Sequence, residues 1–192
     1  RQRQMCIRDS ASSESGENRV RVAMLQPPRS GLSQFSDDAF KLSRWSTAET
    51  LIVLDDLGEA EPGLATAWNR VDDRTWNFDI RPDVTFHNGA PLDAAAVVTA
   101  LIAATQSAPK PRILDGVDMT VTAIDADSVA VTTADVDPLV PQRLSSPQLA
   151  ILAPEAYSTG TSNPVGTGTG PFVLKAVNGT STATLDLSLI HI

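Results

Sequence analysis

Cysteine is all but missing from this chain. Cys6 stands alone in 192 residues, which excludes an internal disulfide and any CxxC metal or redox motif, and leaves the redox compartment unread. Histidine is nearly as scarce: outside the C-terminal tail only His87 remains, so a Ser-His-Asp triad would have to use that one imidazole. Basic side chains are outnumbered 15 to 23, a net charge of −8, which argues against a protein that neutralises nucleic-acid phosphates with clustered Lys and Arg. No apolar run approaches the ~20 residues of a membrane-spanning helix; the longest, residues 94–104, is interrupted by Thr99. Neither end carries the basic start and apolar stretch of a secretory leader. What is present, 42% hydrophobic and 20% charged residues, suffices for one or two globular domains with a buried core.

The ends differ in character from the middle. The polar opening passes into the Ser-rich stretch ASSESGE, whose composition forms no packed element. MCIRDS and the closing LSLIHI resemble translated adapter sequence, so residues 1–10 and 188–192 are expected to be foreign. Residues 1–19 together are expected to be a disordered or foreign segment with a Ser-rich linker. Residues 20–25 (VRVAML) alternate as a strand that Pro27, Pro28 and Gly31 stop. Residues 37–49 place Ala39, Phe40, Leu42, Trp45 and Ala48 at mixed three- and four-residue spacing, which predicts a helix with Asp37 or Asp38 near its start. Thr75–Ile80 sets Trp76, Phe78 and Ile80 against Thr75, Asn77 and Asp79, a half-buried antiparallel strand. Asp93 is an N-cap for a helix running through AAAVVTALIAA and ended by Pro109 and Pro111; being apolar on nearly every side, it should be packed on more than one face. Residues 119–124 and 129–133 read as a hairpin, Pro138 as the start of a short helix through Leu144, and residues 172–177 and 182–187 as a final strand pair across Asn178-Gly179.

Chemically suggestive residues mostly have plainer readings. His87 lies in TFHNGAPL, a tight turn that makes it a turn-flanking side chain, and it lacks a second histidine or a cysteine at zinc-ligand spacing. The run Gly166-Thr167-Gly168-Thr169-Gly170 leads into a strand with no GK[ST] following, so it reads as a backbone turn and not as a phosphate cradle opening a helix. Asp55-Asp56 and Asp72-Asp73 read as turn residues, because glycosidase-type carboxylates are brought together by folding and cannot be found by adjacency. Trp68 and Trp76 read as core aromatics; Trp45 fits either a core position or an exposed stacking platform.

The segment from Glu49 to Leu101 carries a resemblance. Glu49-Thr50-Leu51, Pro62, Leu64-Ala65, Trp68, Asp72-Asp73, Thr75-Trp76, Phe78, Arg81, Val84, Phe86-His87, Gly89 and Pro91-Leu92 occur in the order of the opening signature of the extracellular solute-binding proteins of ABC importers, in the peptide- and nickel-binding family. In that pattern the ETL triplet closes a helix. Downstream, residues 118–133, LSSPQLAILAPEAY (144–157) and NPVGTGTGPFVL (163–174) are similar to further family segments, the last with an extra Thr-Gly. The match covers residues 20–187.

The resemblance implies a mixed α/β (α+β) fold of the type II periplasmic-binding-protein kind, of which this chain holds only the first lobe, incomplete: its start at 20–50, a subdomain at 51–157 and return strands at 158–187, with the second lobe absent. It implies binding without chemistry, hence no catalytic residue, cofactor or metal, and a monomer outside the membrane that passes a peptide or other small solute to a membrane permease, with no role for nucleic acid. Some members are lipid-anchored through a cysteine ahead of a Ser-rich linker; Cys6 lacks the small and apolar residues expected before it. Cleft positions carried over are Gln34, Phe35, Ser36, Asp37, Lys41 and Trp45, with Ser145, Ser146 and Gln148 from a second segment. Asp37 would meet a ligand ammonium and Lys41 a carboxylate, or both are merely solvated. Nickel-chelate binders carry an arginine in the second segment; residues 145–154 contain none, although Arg143 adjoins them. Peptide therefore ranks first, another solute such as an oligosaccharide or metal chelate second, and a hydrolase third. Gly168 and Gly170 are expected to shape the crossing between subdomains.

Overall fold

A computed structural model of the chain describes residues 23, 28–158, 161–179 and 181–188. The strand expected at 20–25, apart from Ala23, and the N-terminal linker lie outside the described residues. The centre of the fold is an antiparallel four-stranded sheet of β3 (Ala65–Arg70), β4 (Thr75–Ile80), β5 (Met119–Ala123) and β6 (Ser128–Thr133), in the order β3-β4-β6-β5. The alternation read in Thr75–Ile80 holds over its second half, where Phe78 and Ile80 are buried and Asp79 is exposed, while Thr75, Trp76 and Asn77 are all half-buried. Phe78 pairs with Val129, and Trp76 with Val131, which in turn faces Val121, so one face collects the apolar side chains of three strands. Phe78, Val129 and Val131 are wholly buried. Each such side chain contributes roughly 1.5–3 kcal/mol relative to leaving it in water.

Helix α2 (Ala94–Gln106) covers that face, packing on β5 and β6. Its start is set by Asp93, extended at φ −136°, whose carboxylate accepts from the Ala96 amide at 2.8 Å. Ala94, Ala96, Val97, Ala100, Leu101 and Ala104 are buried, and only Ala95, Thr99 and Gln106 of the helix are exposed, as an all-apolar helix requires.

The carboxylates placed in turns are turn residues. Asp72 Oδ1 accepts from the amides of Arg74 (2.8 Å) and Thr75 (2.9 Å) between β3 and β4, and these bonds, that of Arg74 foremost, hold its pKa below the usual range. Asp55 Oδ1 accepts from Leu57 and Glu59 amides in the tip joining β1 (Ile52–Leu54) to β2 (Ala60–Pro62). Trp68 and Trp76 are half-buried against the core.

Three sequence expectations need correction. The helix expected over 37–49 is only α1, Ala39–Arg44. It stops because Ser46 turns to φ +51° and the Ser46 and Thr47 carbonyls accept from the amides of Phe172 (3.3 Å) and Gly170 (3.2 Å), a long-range pairing that local propensity cannot reveal. Glu49-Thr50-Leu51 accordingly does not end a helix; Glu49 bridges Ile151 in extended conformation. The short helix starts later than Pro138, as α3 (Val140–Arg143), with Pro141 in its first turn.

Beyond α3 a 3-10 turn at Pro147–Leu149 leads to the short pair β7 (Tyr157–Ser158) and β8 (Thr161–Ser162). The chain closes in the β9 (Phe172–Asn178) and β10 (Thr182–Leu187) hairpin, whose Leu174 packs with Leu32 and Leu42 in a small second cluster flanked by Trp45. Ser188, placed in the expected foreign tail, is buried, and its amide donates to Pro171 O at 2.7 Å.

Candidate functional site

A cavity of about 720 Å³ opens where α1, β1 and the segment from α3 to the Pro147 turn meet. Its walls are mainly apolar: Phe40 from α1, Val53 and Leu54 from β1, and Ile113. Phe40, Val53 and Leu54 are each more than two-fifths exposed. The polar lining consists of hydroxyls, the amides of Gln34 and Gln142, and Glu49, the single charged side chain among the lining residues. Glu49 Oε1 lies 3.8 Å from Arg81 Nη1, while the other guanidinium nitrogen donates to Gly63 O. Ser145 Oγ donates to Gln142 O at 2.7 Å, and Ser146 Oγ caps the 3-10 turn by accepting from Gln148 N.

Of the nine cleft positions carried over by resemblance, Gln34, Ser145 and Ser146 line this cavity. The other six are committed elsewhere. Phe35 is buried and stacks on Tyr157, with centroids 6.0 Å apart; burial raises the Tyr157 pKa. Gln148 is buried and donates through Nε2 to Phe35 O at 3.4 Å. Ser36 Oγ donates to Ser33 O. Asp37 pairs with Arg112 in solvent. Lys41 Nζ donates to Asp38 Oδ1 at 2.7 Å, and Trp45 packs beside Leu42.

Asp38 organises this corner. It accepts from the Arg29 amide, from the Ser30 amide and hydroxyl, and from Lys41. Burial opposes its charge, but the Lys41 ammonium and the Ser30 donors prevail and bring its pKa down to about 2.

Sequence reasoning passed over Phe40, Val53, Leu54, Glu49 and Gln142 as lining residues. Glu49 stood in the quoted ETL landmark, so its position was visible but its exposure was not. Nothing in the sequence sets Val53 and Leu54 apart from the buried Leu51 and Ile52 beside them.

His87 lies elsewhere, between α2's leading turn and the glycine run. Its amide donates to Gly168 O at 2.8 Å and its Nε2 lies 2.7 Å from Gly170 O. Glycine is required across from Ser46 and Thr47: a Cβ on Gly168 or Gly170 would fall inside contact distance of the Thr47 or Ser46 carbonyl oxygen. The run is a backbone seam and does not open a helix.

Residues 59–186 match the sequence profile described as bacterial extracellular solute-binding proteins, family 5, middle region. The chain belongs to this family. Family 5 proteins bind substrates and deliver small solutes to ABC permeases; catalysis is not their role. A curated relative, the nickel-binding protein NikA of Staphylococcus aureus, is 27% identical over 130 residues, covering 67% of this chain and 25% of its own length. Among solved structures, the nickel ABC transporter protein of Bacillus halodurans superposes with a TM-score of 0.70 at 26% identity, over 85% of this chain and 33% of its own. The Helicobacter pylori protein DppA, solved in complex with the peptide STSA, superposes with a TM-score of 0.65 at 17% identity, over 83% of this chain and 38% of its own. The fold is therefore part of the first lobe of a periplasmic-binding-protein architecture, and this chain spans a quarter to two-fifths of the length of those relatives. Among the described residues no helix is long and apolar enough to cross a membrane.

Proposed function

We propose that the complete protein captures short peptides outside the membrane and hands them to the permease of an ABC importer. The observation that carries this reading is the chemistry of the cavity: apolar walls, hydroxyl and amide groups, and no cationic side chain among its lining residues. Such a surface holds a chain through its backbone polar groups and tolerates varied side chains. In this reading the cavity is one wall of a cleft whose other wall is a second lobe. A solute touching both lobes favours the closed form by its differential contacts, and the permease distinguishes closed from open. The protein acts as a monomer and leaves its solute unaltered.

A second reading, a nickel chelate, is favoured by the names of two relatives about a quarter identical to this chain. Against it, the carboxylates of a chelate need cationic partners. Arg143, which adjoins the segment, instead donates to Asp137 Oδ2 at 2.6 Å and to Ile113 O at 3.0 Å. Calorimetric titration of the purified full-length protein with a tripeptide mixture, and separately with Ni(II) plus histidine, decides between them. Saturable one-to-one heat with peptides supports the first reading. Heat confined to the nickel mixture replaces it with the second.

A further inference from the structure

Three of the large apolar side chains left exposed sit singly at hairpin turns: Leu57 between β1 and β2, Val71 between β3 and β4, and Ile124 between β5 and β6. Isolated residues of this kind are ordinary on a protein surface. Phe40, Val53 and Leu54 differ, because all three border one concavity of about 720 Å³. Helix α1 buries Ala39 and Leu42 and leaves Phe40 outside. Strand β1 buries Ile52 and leaves Val53 and Leu54 uncovered, since β1 and β2 form a ribbon of only two strands. Carbon surface brought from two elements to one open cavity is the main ingredient of a small-molecule pocket.

Much of the polar lining is taken up by the chain itself. Thr50 Oγ1 donates to Ile52 O at 2.6 Å, Ser145 Oγ to Gln142 O, and Gln34 Nε2 to Ala150 O. Glu49, the one charged lining residue, faces Arg81. A basic ligand side chain would have to displace that guanidinium, and an acidic one would meet a carboxylate of like sign. The net charge of −8 adds to the second penalty. The surface left free to recognise a ligand side chain is therefore chiefly carbon.

We infer that this cavity is an apolar side-chain subsite: it takes an uncharged aliphatic or aromatic residue of the peptide against Phe40, Val53 and Leu54, and so selects peptides that carry one. The inference rests on the peptide reading above and narrows it, because a tolerance of shape does not extend to charge. The three residues that set the selection lie outside the nine cleft positions carried over by resemblance.

The test uses full-length protein and calorimetric titration with tri-alanine and with tripeptides in which one alanine at a time is replaced by leucine, glutamate or lysine. At one position leucine is expected to tighten binding about tenfold over tri-alanine, the scale of three carbons partly removed from water. Glutamate and lysine at that position are expected to bind no tighter than alanine. In Phe40→Ser the leucine gain is expected to shrink to within about threefold. Val53→Thr, which keeps the shape and adds a hydroxyl, is expected to shrink it in the same direction and carries the test if Phe40→Ser does not fold. The gain is read as a ratio of two probes on one protein, so a damaged fold or a lost contact with the second lobe, which weakens both probes alike, leaves it unmoved. A leucine gain absent at every position, a larger gain from glutamate or lysine, or a gain undiminished in both variants overturns the inference and leaves the peptide reading standing. No saturable heat from any tripeptide in the parent overturns both.

Discussion

His87 and Gly170 are joined side chain to backbone: the imidazole Nε2 lies 2.7 Å from the glycine carbonyl oxygen, across 83 residues of sequence. With the His87 amide on Gly168 O, this clasp ties the turn before α2 to the return segment. Replacing His87 with Ala is expected to lower unfolding free energy by about 1 kcal/mol, the net worth of one such bond. Urea denaturation measures it, and solute affinity under native conditions should stay within about twofold.

Gly168→Ala should be harsher. The added methyl meets the Thr47 carbonyl, which is backbone and held by the Gly170 amide, so the seam between α1 and the return segment must open. A loss of about 3 kcal/mol is expected, the upper end of overpacking costs. Gly166→Ala, where a Cβ meets open space but φ is +68°, should cost only about 1 kcal/mol. Thermal melts of the two variants side by side check the order.

These contacts also mark what could be read in advance. β4 emerged at its correct bounds because period-two alternation is local, and Asp93 announced α2 because a cap acts within one turn. The glycine run was legible as a turn, but what it pairs with was not. The carbonyls of Ser46 and Thr47 go to residues more than 120 positions away, and that pairing cut a thirteen-residue helical pattern to the six residues of α1. The cavity was the least legible feature. Phe35 and Gln148 carry groups suited to a cleft yet face inward, whereas Val53 and Leu54 look like core and line the opening. Exposure of that kind is a property of the assembled elements and of no single stretch.

Asp38 gives a pH dependence. Its pKa falls from an ordinary 3.8 to about 2 on folding, so the unfolded chain binds the proton more tightly. The stabilisation is therefore present in full above the unfolded value and is lost as pH drops from about 4 through 2. The shift corresponds to about 2 kcal/mol. Asp38→Asn should lower stability by that order at pH 7 and flatten the profile between pH 4 and 2, as read from denaturant midpoints in the full-length protein.

Removing the α2 cap with Asp93→Ala should cost about 1 kcal/mol, since the Ala96 amide loses its acceptor. Phe78→Ala, in a side chain with no exposed surface, should cost about 3–5 kcal/mol by leaving a cavity under α2. Hydrogen exchange distinguishes the two: the cap variant loses protection in the first turn of α2 only, the core variant across the whole sheet.

The 192 residues by themselves are expected to hold no solute at measurable affinity, since the cavity provides contacts from one side only. Titration of the isolated chain against the full-length protein, under identical conditions, measures the difference.

The most direct test of capture without chemistry is recovery of the cargo. Full-length protein is loaded with a defined tripeptide, separated from free ligand, denatured, and the released material weighed by mass spectrometry. The account predicts one intact tripeptide per protein molecule after prolonged incubation. Cleaved peptide in molar excess over the protein would contradict it.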